Sequence, residues 1–338
     1  MIIVLKPHIS KKAEAAVLTE IRRLGYRPHV MRGVARTVIG AIGDERTHHT
    51  LETLTVLPQV ESVMPIQKRF KLVSREAHPA NSTITLPNGC VIGGKDLVVM
   101  AGPCSVESER QLLTTAEAVA KAGAKVLRGG AFKPRTSPYE FQGLGEKGLK
   151  MLAKARKQTG LAIITELLSE DHAGMVAEYA DILQIGTRNA QNFQLLLAAA
   201  KTGKPVLLKR GLAMKIEEWL LAGEYILSNN NPGLMFCERG IRTFETYTRN
   251  TLDLSTIPII KKESHSPIVI DPSQGAGRAD LVVAMCKGAA AMGADALLVE
   301  VHPNPAEAWS DGAQQLTLEG FAKMMQELKP FAAAAGRT

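Results

Sequence analysis

Aromatic side chains are scarce: 8 Phe, 5 Tyr and 2 Trp make up only 4% of the 338 residues. The few rings do not alternate with basic residues, and no run of five or more lysines and arginines occurs, so no nucleic-acid partner is expected. Cysteine is equally sparse. Cys90, Cys104, Cys237 and Cys286 lie far apart with no CxxC pair, which argues against a disulfide framework and a zinc finger and leaves any functional cysteine to act alone. No apolar run reaches the roughly 18 residues needed to cross a bilayer, so no membrane partner is expected. The opening segment MIIVLKPHIS shows neither a basic leader nor a small-residue cleavage site, and a cytoplasmic location is the expectation.

What is abundant is Gly, Ala, Val and Leu within a 45% apolar composition, the signature of short buried strands joined by tight loops to close-packed helices. Residues 1–66 read as a small unit of order βαββαβ. Its strands fall near Ile2 to Leu5, Pro28 to Met31, Arg36 to Ile42 and Val60 to Ile66, and its helices over Lys11 to Leu24 and Asp44 to Leu54. That order is the ferredoxin-like arrangement, two helices on one face of an antiparallel sheet. Residues 67–96 read as a polar linker, then a hairpin turning at Leu86-Pro-Asn-Gly89.

Residues 97–338 change character. Short apolar runs, each followed by a helical segment, recur at Leu97 to Ala101, Lys125 to Leu127, Ala162 to Thr165, Ile182 to Ile185, Pro205 to Leu208, Leu234 to Cys237, Pro267 to Ile270 and Ala296 to Val299. Eight such units predict an α/β fold, a (β/α)8 TIM barrel preceded by a small ferredoxin-like α+β domain. No GxGxxG follows the first run, which counts against an open dinucleotide-binding sheet.

In such a barrel the residues just after each strand carry the chemistry. Arg128, Arg188, Lys209, Arg239 and Arg278 occupy these positions, and Lys133 and Arg135 follow in the second loop. Their convergence predicts a pocket for two multiply charged anions and accounts for much of the +8 net charge. Cys104 after the first strand, Glu300 after the eighth and Asp311 beyond it offer a thiolate and two carboxylates, a set suited to a divalent transition metal or zinc.

The strings AGPCSVES (101–108), LRGGAFKPRTSPYEFQGLG (127–145), QIGTRNAQNF (184–193), PVLLKRG (205–211), CERGIRTFE (237–245) and VEVHPNPAEAWSDG (299–312) carry a resemblance. With GVARTVIGAIGDER (33–46), they make the chain resemble, over essentially its whole length, the 3-deoxy-D-arabino-heptulosonate 7-phosphate (DAHP) synthases of the type I beta subgroup, which carry an N-terminal ferredoxin-like regulatory domain. The resemblance implies a transferase that condenses phosphoenolpyruvate with erythrose 4-phosphate and releases phosphate, the first step of the shikimate pathway. It also implies a homotetramer with tyrosine or phenylalanine as effector. The sister octulosonate enzymes use a five-carbon sugar phosphate on the same barrel and usually carry Lys-Ala-Asn-Arg-Ser in the second loop. Here that loop reads Lys133-Pro134-Arg135-Thr136, which favours the four-carbon substrate.

By resemblance Arg128, Lys133, Arg188, Lys209 and Arg239 surround phosphoenolpyruvate, while Arg135 and Thr136 hold the sugar phosphate. Lys133, with Arg128 beside it and neighbouring cations depressing its pKa, is the catalytic candidate for delivering a proton. The family's metal (Mn, Co, Zn or Fe) is bound by a Cys, a His, a Glu and an Asp. Cys104, Glu300 and Asp311 match, but Asp271-Pro-Ser-Gln274 places Gln274 where the family carries its histidine. Three readings stay open: metal bound by three residues with water, Gln274 or a neighbour such as His302 completing the set; activity without metal; or a non-catalytic regulatory homologue.

Overall fold

The structure, a computed structural model, describes residues 1–32, 36–43, 51–64 and 69–338. The chain falls into two units, Met1–Arg69 and Phe70–Thr338. In the first, β1 (Ile2–Leu5), α1 (Lys11–Arg23), β2 (Arg27–Arg32), β3 (Thr37–Ile42) and β4 (Val60–Met64) build an antiparallel sheet of order β2-β3-β1-β4. Alternation sends Ile3 and Leu5 of β1 inward against Val17 and Ile21 of α1. Helix α1 starts where Ser10 Oγ accepts from the Ala13 N–H (3.2 Å), carries Glu14 in its first turn and Arg22 and Arg23 in its last, and stops before Gly25 at φ +94°. The second expected helix differs. Its residues 44–50 lie outside the described residues, and Leu51–Val56 is a 3-10 helix. Thr53, Thr55 and Val56 are β-branched and Pro58 follows, so the segment is too short and too stiff for a regular α-helix.

In the second unit β5 (Ile84–Thr85) and β6 (Val91–Ile92) form the hairpin. The strands β7 (Val98–Gly102), β8 (Val126–Arg128), β9 (Ala162–Leu167), β10 (Ile182–Ile185), β11 (Val206–Lys209), β12 (Leu234–Glu238), β13 (Ile268–Ile270) and β14 (Ala296–Glu300) close into a parallel barrel. Closure is made by β14 on β7, with Ala296 opposite Val98 and Glu300 opposite Gly102. The intervening helices are α2 (Glu109–Ala122), α3 (Glu146–Thr159), α4 (Ala173–Tyr179), α5 (Phe193–Lys201), α6 (Ile216–Leu227), α7 (Thr256–Glu263), α8 (Pro272–Ala276), α9 (Ala279–Ala291) and α10 (Leu318–Ala334).

Strand alternation divides the apolar residues into two layers. Val99, Leu127, Ile163, Leu183 and Leu208 face the helices. Met100, Val126, Ile164, Leu207, Met235 and Leu298 fill the barrel, where they pack with Ile84, Leu86 and Ile92 of the hairpin. The hairpin thus stoppers the N-terminal end of the barrel, and the polar residues collect at the other end. There Gly102, at φ +154°, runs so close to β8 that a Cβ would come within 2.1 Å of the Arg128 carbonyl oxygen. Only glycine lets β7 and β8 meet at the point that aims Arg128.

Candidate active site

At the C-terminal ends of the strands lies a cavity of about 200 Å3. Of the residues singled out in the sequence, Arg128, Lys133, Arg135, Thr136, Arg188, Lys209, Arg239, Gln274 and Asp311 line it. Arg128 ends β8 and donates through Nη1 to the Pro103 carbonyl (2.8 Å), with Glu300 Oε1 at 3.1 Å. Lys209 ends β11 and donates to Asp271 Oδ2 at 2.6 Å. Arg239 follows β12 and donates to Gln274 Oε1 at 3.0 Å. Arg128 Nε and Arg239 Nη1 are buried with no hydrogen-bond partner, and both residues line the cavity. At its rim Arg135 pairs with Glu140 (2.8 Å), and Arg188 reaches the Thr136 hydroxyl at 3.5 Å.

Cys104 and Glu300 are buried beside this cavity and join Asp311 in a group whose ligand atoms all lie within 4.8 Å of one another. One thiol and two carboxylates at this spacing fit a divalent ion of borderline softness. Gln274 does not extend the set. Its carbonyl oxygen accepts from Arg239, while its Nε2 donates to Glu300 Oε1 (2.7 Å) and Asp311 Oδ2 (3.3 Å). A guanidinium offers only donors and carboxylates only acceptors, so this network fixes the amide with its NH2, which has no lone pair for a metal, towards the acids.

Electrostatics follow from burial and neighbours. Burial pushes the Cys104 thiol up to about 11, helped by Glu300, so it is protonated near neutrality. For Asp311 burial acts upward, but Arg249, Lys133 and hydrogen bonds from Cys104 and Gln274 outweigh it and bring the carboxyl down to about 2. Lys133 departs from expectation. Burial and Arg128 work to lower its pKa, but Cys104, Glu166 and Glu300 prevail and hold it above the ordinary lysine value. Its ammonium donates to the Cys104 carbonyl and Sγ, both at 3.1 Å.

Two sequence expectations are corrected. Arg278 does not join the cavity: after β13 the short α8 carries the chain away, and its guanidinium binds Asp280 at 3.1 and 2.8 Å. Nor does His302 join the metal-ligating group. Its Nε2 faces Glu107 Oε2 (3.2 Å), and its Nδ1 accepts from the Asn304 N–H (3.1 Å). Reading only the residues next to strand ends missed Arg249, which lies deep in the loop after β12 and donates to Asp311 Oδ1 (3.2 Å) and Gln314 Oε1 (3.1 Å). Glu166, directly after the run ending at Thr165, and Gln184, inside the run 182–185, line the cavity without having been assigned a role; a polar residue at or within an apolar run was the available signal.

Residues 77–333 match the DAHP synthetase I family, and residues 1–68 match the DAHP synthase ferredoxin-like domain. The chain belongs to the DAHP synthetase I family. Membership makes it an enzyme, a transferase. A phospho-2-dehydro-3-deoxyheptonate aldolase from Thermotoga maritima is 51% identical over 336 residues, 99% of each chain. The crystal structure of a DAHP synthase from the same organism superposes with a TM-score of 0.94 at 50% identity, covering 100% of this chain and 98% of the other. A 2-dehydro-3-deoxyphosphooctonate aldolase from Bradyrhizobium diazoefficiens is 31% identical over 73% of this chain and 94% of its own. The octulosonate alternative therefore rests on a distant relationship. Among the described residues no helix is long and apolar enough to cross a membrane.

Proposed function

We infer that the chain catalyses the first step of the shikimate pathway, condensing phosphoenolpyruvate with erythrose 4-phosphate to DAHP and phosphate. One observation carries this reading beyond family membership. Arg128 and Arg239 each bury an unpartnered guanidinium N–H beside one cavity whose lining brings seven cations (Arg128, Lys133, Arg135, Arg188, Lys209, Arg239, Arg249) against three acids (Glu140, Glu166, Asp311). A buried donor without an acceptor is costly, and a phosphorylated carboxylate supplies the acceptors.

We assign the deep part of the cavity, between Arg128, Lys133, Lys209 and Arg239, to phosphoenolpyruvate. Arg135, Thr136 and Arg188 at the rim are assigned to the phosphate of the sugar. Carbon 3 of phosphoenolpyruvate forms a bond to the aldehyde carbon, whose oxygen takes up a proton from the Lys133 ammonium. A water adds at carbon 2 and gives up one proton, which restores the Lys133 ammonium. The bond from carbon 2 to the phosphate oxygen then breaks as the new hydroxyl passes its proton to the departing phosphate, releasing inorganic phosphate and leaving the ketone. An ammonium held above its ordinary pKa stays charged until the alkoxide develops, so the proton moves when the stronger base appears.

The residues assigned above to substrate all lie in the second unit, and we assign the ferredoxin-like domain to regulation, with tyrosine or phenylalanine as effector and a homotetramer as the working form. The test of the activity is loss of phosphoenolpyruvate with erythrose 4-phosphate or arabinose 5-phosphate supplied. The four-carbon sugar is expected to support turnover and the five-carbon sugar to be poor. Equal or better turnover with arabinose 5-phosphate rejects the assignment of the rim residues.

A further inference from the structure

The acids beside the cavity are already satisfied by protein donors. Glu300 Oε1 accepts from Gln274 Nε2 (2.7 Å) and lies 3.1 Å from Arg128 Nη1, and Glu300 Oε2 accepts from Gln314 Nε2 (2.6 Å). Asp311 Oδ1 accepts from Arg249 (3.2 Å), and Asp311 Oδ2 accepts from Gln274 (3.3 Å) and the Cys104 thiol (3.4 Å). All four carboxylate oxygens thus have a donor, and the Gln274 NH2 bridges the two acids at the place where a cation would hold them together.

Charge balance points the same way. Arg128 and Arg249 contact the two carboxylates directly, and Lys133 lies against Cys104, so the cluster is not an excess of negative charge awaiting a dication. To ligate through its oxygen, Gln274 would have to turn over. Its NH2 would then face the Arg239 guanidinium, donor against donor, in a buried pair where Arg239 Nη1 already lacks a partner.

We propose that Gln274 is a fixed hydrogen-bond donor that clasps Glu300 and Asp311 in place of a metal ion, so that the condensation in this chain does not require a bound divalent cation. This rests on the synthase reading above, and the experiment separates the two. The full-length protein is stripped with dipicolinate. Its metal content is measured by plasma mass spectrometry, phosphoenolpyruvate consumption is followed with and without added Mn2+, Co2+ or Zn2+, and Co2+ is titrated spectroscopically in the absence of substrate.

The expected results are substoichiometric metal, a rate unchanged by stripping or by added metal, and no thiolate-to-cobalt charge-transfer band. Gln274→His supplies an imidazole at the same point. It is expected to tighten Co2+ binding by at least the roughly 10- to 100-fold that even an outer-shell change produces, and to bring the band up. Stoichiometric metal in the untreated protein, with a rate lost on stripping and restored by metal, overturns the proposal. So does a strong cobalt–thiolate band in the wild-type chain, whatever its activity. A protein inactive with and without metal, yet blank in the cobalt titration, rejects the synthase reading while leaving the role of Gln274 supported.

Discussion

Lys209 and Asp271 form an ion pair at 2.6 Å with side chains only 6% and 1% exposed. The second carboxylate oxygen of Asp271 accepts the Gln274 N–H at 2.9 Å and starts α8. One carboxylate thus aims a cavity lysine and anchors the turn that carries Gln274. Asp271→Asn leaves a buried ammonium without its counter-charge and is expected to cost about 3–5 kcal/mol of stability. Urea unfolding of the variant beside the wild type measures it, and matching midpoints would show that the pair contributes nothing.

Arg239→Ala removes a guanidinium with an open N–H beside the cavity and frees the Gln274 carbonyl. A loss of about 2–4 kcal/mol of transition-state stabilisation is expected, the usual size for deleting one such donor, read as a fall in kcat/KM for phosphoenolpyruvate. Unchanged steady-state kinetics would place the anion elsewhere.

His265 provides a pH prediction away from the cavity. Its Nε2 donates to the Leu72 carbonyl (2.8 Å), and its Nδ1 shares a hydrogen bond with the Ser82 hydroxyl (2.7 Å), which can donate to the neutral ring. Burial, with His78 and Arg75 nearby, brings its pKa below the ordinary 6.5. A folded pKa below the unfolded one means that the neutral ring's contribution is complete above the unfolded value and is lost as pH falls through the folded one. Denaturant unfolding between neutral and mildly acid pH should therefore show a steeper loss of stability for the wild type than for His265→Asn. Parallel curves would remove His265 as the cause.

Regulation is tested by a chain beginning at Phe70. The structure of a truncated form of the Thermotoga maritima synthase superposes with a TM-score of 0.75 at 52% identity, covering 80% of this chain and 98% of its own. The shortened protein should retain phosphoenolpyruvate consumption and lose inhibition by tyrosine or phenylalanine. Inhibition of equal strength in both forms would remove the effector site from residues 1–69.

The barrel was legible because each of its eight strands is a short apolar run ending in a polar cluster, and the run ending at Leu208 already placed Lys209 at the cavity. The site was less so. Arg249 was invisible to that rule because it reaches the cavity from within a long loop, and Arg278 was over-read because α8, set off by Asp271 and Pro272, turns the chain aside. The pKa of Lys133 was misjudged in direction. Sequence displays its cationic neighbours on adjacent strand ends, but Glu166 and Glu300 become its neighbours only when the barrel closes.

The layering from hairpin to rim has a kinetic consequence. Ile84, Leu86 and Ile92 pack into the apolar interior of the barrel, so apolar side chains lie between the hairpin and the polar cavity. Arg128 and Arg239 are buried while Arg188 at the rim is exposed, so a group bound to the first two lies beneath one bound at the rim. Under the assignment proposed above, the sugar phosphate at the rim would lie over phosphoenolpyruvate, and binding would be ordered with phosphoenolpyruvate first.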